Sequence, residues 1–113
     1  MSQQNETVRV ETTVDSKEGA ERLATLVVDG RLAACAQVSG PISSFYRWEG
    51  EVQSDDEWIV VIKTAADRLP TLTERIVEAH PYDTPEIVAV PVIGGNPAYL
   101  EWVREESRED TAP

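Results

Sequence analysis

Glu57-Trp58-Ile59-Val60-Val61-Ile62 is apolar at every position after the first, so an extended chain here is greasy on both faces. A strand of that kind belongs in the middle of a sheet, where both faces are covered. Upstream, Glu49-Gly50 supplies a tight turn, and Ala33 to Trp48 is a run of mostly small, β-branched or aromatic residues. The two runs predict a long antiparallel hairpin. Gly40-Pro41 interrupts the first arm, and a regular central strand tolerates that pair poorly, which predicts a bulge or bend there.

On the amino-terminal side, Val8, Val10, Thr12 and Val14 alternate with polar residues and predict a half-buried strand. A helix follows. Asp15 or Ser16 caps it, Glu18 lies in its first turn, Ala20, Leu23, Ala24 and Val27 recur at helical spacing, and Gly30 supplies the stop. Beyond the hairpin a second helix begins near Asp67, with Pro70 in its first turn and Leu69, Leu72, Ile76 and Ala79 turned inward, and Pro81 ends it. Glu86 to Val92 then reads as a strand, and Asn96-Pro97 opens a short helix through Tyr99, Leu100, Trp102 and Val103.

The order β-α-β-β-α-β with a closing C-terminal helix is that of an α+β, ferredoxin-like sandwich, with an antiparallel sheet carrying both long helices on one face. Residues 7–106 form one domain in this reading, with disordered tails at 1–6 and 107–113. The opposite sheet face is left uncovered. Because the run at Trp58 to Ile62 is too apolar for a solvated face, other copies of the same chain are expected to cover it.

The chain has 113 residues, enough to bury one core without disulfides, and 21 acids against 10 Lys plus Arg give a formal charge of −11. That excess repels nucleic acid and anionic lipid, and no apolar run is long enough to span a membrane as a helix. The acid excess reads equally as a solubility or halophilic adaptation or as an attractor of cations. The first residues, Met1 to Glu6, show neither the basic start nor the apolar stretch of an export signal, so the expected compartment is the cytoplasm. Cys35 is the only cysteine, which excludes an internal disulfide, a zinc ribbon and a CxxC redox pair. Hydrolase elbows, nucleotide-binding glycine loops, HExxH and EF-hand loops do not occur, so neither an enzyme nor an organic cofactor is expected.

Five stretches together resemble the CutA divalent-cation tolerance family. They are Ala33-Ala34-Cys35, Tyr46-Arg47-Trp48-Glu49-Gly50-Glu51, Ile62-Lys63-Thr64, His80-Pro81-Tyr82-Asp83-Thr84-Pro85-Glu86-Ile87 and Tyr99-Leu100-Glu101-Trp102. They follow one another in the family's order from near the first strand to the last helix. The resemblance implies a ferredoxin-like subunit in a homotrimer whose long hairpins cross subunit boundaries, with an architecture like that of the PII signalling trimers. It also implies a part in tolerance of divalent metals, copper above all.

Three residues stand out as metal ligands on chemical grounds combined with that motif. Cys35 offers a soft thiolate and His80, the single histidine, an imidazole, although a small buried hydrophobe and a helix-end structural histidine are the plain readings of each. The His-Pro-Tyr-x-x-Pro-Glu element adds Glu86 and places His80, Tyr82 and Glu86 in the cleft region of the family. One thiolate, one imidazole and one carboxylate per chain fall short of a closed four-ligand site, so a strong site would borrow ligands from a neighbouring subunit. Tyr46, Trp48, Lys63 and Tyr82 are the candidates for a ligand cleft. Lys63 follows the apolar strand and would meet either an anion or a neighbouring acid. The leading expectation is a trimeric cytosolic protein that binds copper or another divalent cation. The alternative is a PII-like signalling or scaffold trimer that takes a small anion between subunits.

Overall fold

A computed structural model describes residues 6–109. The elements run β1 (Thr7–Val14), α1 (Lys17–Asp29), β2 (Cys35–Trp48), β3 (Glu51–Ala65), a 3-10 turn (Ala66–Arg68), α2 (Leu69–Ala79), β4 (Ile87–Val92) and α3 (Pro97–Glu106). The four strands form one antiparallel sheet in the order β2-β3-β1-β4, so the expected α+β, ferredoxin-like order is the observed one. Pro91 sits in β4, at an edge of the sheet, where a missing backbone donor costs no inner ladder bond.

Val8, Val10 and Val14 of β1 and Val60 and Ile62 of β3 meet Ala20, Leu23 and Val27 of α1 and Leu72 and Ile76 of α2 in one buried core. Leu69 packs at its margin, whereas Ala79, expected inward, is exposed in the last turn of α2. Ser16 caps α1 by accepting the Gly19 amide at 3.0 Å. At the other end the left-handed residue is Arg31, with φ +57, one position after the expected Gly30, which has φ −79. Arg31 N–H donates to Val28 and Leu32 N–H to Val27, the paired bonds of a Schellman ending. Arg31 is held in that conformation from outside the helix: its Nε donates to the Arg108 carbonyl at 2.6 Å, and its own carbonyl accepts from Arg68.

The hairpin is longer than the sequence implied on its second arm, because β3 runs from Glu51 to Ala65. Glu49 and Gly50 turn the chain with φ +49 and +81, the two positive values that a tight hairpin turn of matching twist needs. The pairing register shifts between Ser39 and Ile42, which places the expected irregularity at Gly40-Pro41. Gly40 is required there: at φ +151, a Cβ would come within 2.6 Å of Trp58 Cδ1 and 3.0 Å of the Glu57 carbonyl.

The shift reverses the faces of β2. Before it, even-numbered Ala36 and Val38 pack on the core and odd-numbered Cys35 and Gln37 face away from it. After it, even-numbered Ser44, Tyr46 and Trp48 share the face of Glu57, Asp55 and Glu51, which is the side away from α1 and α2. That far side is not wholly open, as the sequence implied. Tyr99 of α3 reaches Cys35, so α3 lies over one end of it, and Val103 is fully buried beneath. Among the described parts of the expected tails, Glu6 accepts the Ala66 amide, Ser107 is fully buried, and Arg108 grips both Asp67 oxygens at 2.6 Å. These flanking residues thus contact the domain, and the rest of both tails lies outside the described residues.

Candidate functional site

The far side of the sheet, the outer part of the hairpin and the loop before β4 enclose a cleft of ≈ 640 Å³. Its aromatic walls include Tyr46, Trp48 and Tyr82, and four carboxylates line it: Asp55, Glu57, Asp83 and Glu86. The hairpin contributes through pairing, since Ser44 lies opposite Asp55 and Trp48 opposite Glu51. The loop contributes because His80 and Pro81 end α2 and turn the chain back toward the sheet.

Two phenols are tied to two of the carboxylates. Tyr82 Oη donates to Glu57 Oε2 at 2.7 Å, and Tyr46 Oη donates to Asp55 Oδ2. Burial pushes the Tyr82 phenol well above its ordinary range, and the bond to Glu57 and the charges of Glu57 and Asp15 push it further. Tyr46 rises too, first through its bond to Asp55. Both rings are therefore neutral donors at neutral pH, and the cleft presents acidic oxygens with no compensating cation among its lining residues.

His80, expected as a metal ligand, is buried at 7% exposure with both ring nitrogens in use. The Tyr82 amide donates to Nδ1 at 3.1 Å, and Nε2 lies 2.9 Å from the Thr13 carbonyl. An amide N–H only donates and a carbonyl only accepts, so the ring is the neutral tautomer with its proton on Nε2. The Tyr82 ring tilts over it at 4.8 Å between centroids. In this geometry the imidazole is a structural latch with no lone pair left for a metal.

Cys35 lies elsewhere. It pairs with Lys63 at the α3 end of the sheet, whereas Thr13, the partner of His80, pairs with Ile59. Four residues of strand separate the two levels, about 13 Å. Its sulfur sits 3.4 Å from Tyr99 Oη, a contact that pushes the Tyr99 phenol up to about 12, with burial adding to it. One chain therefore does not assemble Cys35, His80 and Glu86, and no group of three metal-ligating side chains converges among the described residues. Of the expected cleft residues, Tyr46, Trp48 and Tyr82 come together and Lys63 does not. Lys63 lies on the far face beside Gln37, to which its Nζ donates at 3.0 Å, and opposite Arg9 on β1.

Asp55, Glu57 and Asp83 are the cleft carboxylates that the sequence did not single out. Their signal was present but inverted: alternation along β3 puts Asp55 and Glu57 on one side, but only the bulge in β2 brings Tyr46 and Trp48 to that same side. A larger groove of ≈ 800 Å³ runs along α1, with Asp15, Glu18, Glu21 and Asp29 on its lining. It has no aromatic wall and follows the outer surface of a helix, so it resembles a solvated acidic face more than a ligand cleft.

Residues 8–106 match the family of the CutA1 divalent ion tolerance protein. A divalent-cation tolerance protein CutA of Thermus thermophilus is 45% identical over 84% of this chain and 92% of its own. The chloroplastic protein CutA 1 of Oryza sativa is 45% identical over 88% of this chain but only 56% of its own, so the chain spans about half the length of the plant relatives it matches. The crystal structure of CutA1 from Oryza sativa superposes with a TM-score of 0.91 at 42% identity, over 96% of this chain and 100% of that one. A structure from Archaeoglobus fulgidus, described as a periplasmic divalent cation tolerance protein, superposes at 0.87 with 31% identity over 90% of this chain and 99% of that one. Chloroplast and periplasm are compartments other than the cytoplasm expected for this chain. Matched through its whole sheet and all three helices, the chain belongs to the CutA1 divalent ion tolerance family.

Proposed function

We propose that the chain acts in tolerance of divalent cations by holding a hard cation at the carboxylates of the cleft, in a homotrimer that completes the site. The observation that carries this reading is the gathering of Asp55, Glu57, Asp83 and Glu86 around one cleft walled by neutral phenols. An all-oxygen donor set suits magnesium, manganese or calcium better than copper(I), which favours sulfur, and the Cys35 sulfur lies at the other end of the sheet. Copper held by Cys35, His80 and Glu86 within one chain is disfavoured by their separation and by the occupied imidazole. Because no three ligands converge in one chain among the described residues, the remaining positions fall to water or to a neighbouring copy.

The outer hairpin supports the trimer. It is exposed on both faces, with Phe45 at 71% and Val52 at 66% on one and Trp48 at 62% on the other. A two-stranded ribbon with apolar residues on both sides is covered by something, and a second copy is the simplest cover. The alternative of a trimer sensing a small anion is weakened by the acidic cleft and by the position of Lys63 outside it.

Calorimetric titration of manganese and, separately, copper at physiological salt tests the reading, on wild type and on Glu57→Gln with Glu86→Gln. Saturable manganese binding that the double substitution weakens at least about tenfold supports it, since two carboxylates leave the donor set. Binding equal in the two proteins assigns uptake to the diffuse acidic surface and sinks the cleft as the site.

A further inference from the structure

The loop that carries Tyr82, Asp83 and Glu86 into the cleft is attached to the rest of the domain through His80. The ring accepts the Tyr82 amide on Nδ1 and gives its proton to the Thr13 carbonyl from Nε2, so it ties the start of the loop to β1. Both bonds exist together in one protonation state and one tautomer only. A proton added at Nδ1 turns that nitrogen into a donor facing the N–H of Tyr82. The bond to Thr13 survives, because Nε2 stays a donor, and the bond to the loop is replaced by donor against donor.

We propose that His80 is a pH-sensitive latch: protonation of its Nδ1 releases the Tyr82 amide and loosens the 81–86 loop, so that acidification dismantles the cleft without any proton reaching the cleft carboxylates. This rests on the reading of the cleft as the cation site and adds its regulation. The other charged or ionisable groups around the latch are Glu78 in the last turn of α2, Asp15 after β1, Glu18 and Arg22 of α1, which share a groove with Ala79 and Pro81, Glu57 on β3, and Tyr82, Asp83 and Glu86 in the loop itself. Arg22 is a fixed cation and the others are acids or a phenol, so the imidazole is the member of this set that gains positive charge as pH falls. Burial strengthens the effect. With His80 at 7% exposure, water has little access to relieve the two facing donors. Release also propagates, because Tyr82 is the residue whose hydroxyl grips Glu57 across the cleft.

The experiment is a pH titration of the full chain by nitrogen-15 NMR, following the His80 ring nitrogens, the protection factor of the Tyr82 amide, and broadening of cleft amides by trace manganese. At neutral pH the ring nitrogens show the Nε2–H tautomer. As His80 protonates, Tyr82 protection falls at least about tenfold, the scale of one lost amide hydrogen bond. His80→Asn places an amide oxygen near the position of Nδ1 and does not titrate, so its Tyr82 protection shows no step. If that variant fails to fold, coincidence of the two midpoints in wild type decides alone. A Tyr82 amide that stays protected while His80 protonates overturns the latch, as does a ring that starts in the other tautomer or stays neutral until the protein unfolds in acid. Manganese that never broadens the cleft amides, with the latch titrating as described, removes the cation reading and leaves the latch standing.

Discussion

At the scale of single residues, hydrogen-bond direction determines most of the chemistry. Tyr82 and Tyr46 donate to Glu57 and Asp55, and Tyr99 meets Cys35, so all three phenols of the chain hold their protons more tightly than a free tyrosine. The sign follows. A phenol whose folded value is raised contributes stability that is whole below the unfolded value of 10.0 and is lost as pH climbs through the folded value, about 12 for Tyr99. Spectrophotometric titration should therefore show less phenolate at pH 10 in the folded protein than in urea, where the three behave as free tyrosines and about half is ionised. Glu57→Gln should bring Tyr82 down toward the others by removing a charge and a charged acceptor, leaving burial to hold it partly raised. Three tyrosines ionising together near 10 in the folded state would contradict the bonds described. Little of this was legible in the sequence. The single histidine could be read as a ligand or as a structural group, and its two bonds, to a carbonyl on β1 and an amide two residues on, favour the structural reading.

At the scale of elements the sequence was most informative where apolar period and end signals agree. Asn96 caps α3 as its spacing implied, Ser16 is the one of the two candidates Asp15 and Ser16 that caps α1, and the alternation of Val8, Val10, Thr12 and Val14 produced β1. Ser16→Ala removes the acceptor for the Gly19 amide and should cost about 1 kcal/mol in urea unfolding, with an unchanged slope. What the elements did not reveal was which face each residue takes after an irregularity. The position of the bulge at Gly40-Pro41 was readable from two residues that a strand dislikes. Its consequence, the reversal that turns Tyr46 and Trp48 toward Asp55 and Glu57, depends on how many residues the bulge absorbs, which only the register gives. The end of α1 shows the same limit: Gly30 marked the stop, but the strained conformation fell to Arg31 because contacts from Arg68 and Arg108 hold it there.

At the scale of the whole molecule, an ordinary core is joined to a hairpin that the core does not cover. The domain is 50 Å along its greatest dimension against 21 Å along its least, the mark of an arm projecting from a small body. In the proposed trimer, neighbouring copies bury that arm. Sedimentation should give three times the 12.5 kDa chain mass, and Phe45→Glu, which puts a charge on one apolar face of the arm, should shift the protein toward monomer while leaving its circular dichroism unchanged. A wild-type monomer at micromolar concentration would instead leave the arm free for a different protein. The formal charge of −11 bears on function at this scale as well, because a surface so acidic gathers cations along α1 and elsewhere without selecting among them.

That background makes location the decisive quantity. A crystal grown at physiological salt and soaked in manganese, measured at a wavelength where the metal scatters anomalously, reports where the cation sits. One strong anomalous peak is expected in the cleft, coordinated by oxygens of Asp55, Glu57, Asp83 or Glu86, with no comparable peak beside His80 or Cys35. Peaks confined to the Glu18 and Glu21 face of α1, or spread over the surface with the cleft empty, would contradict it.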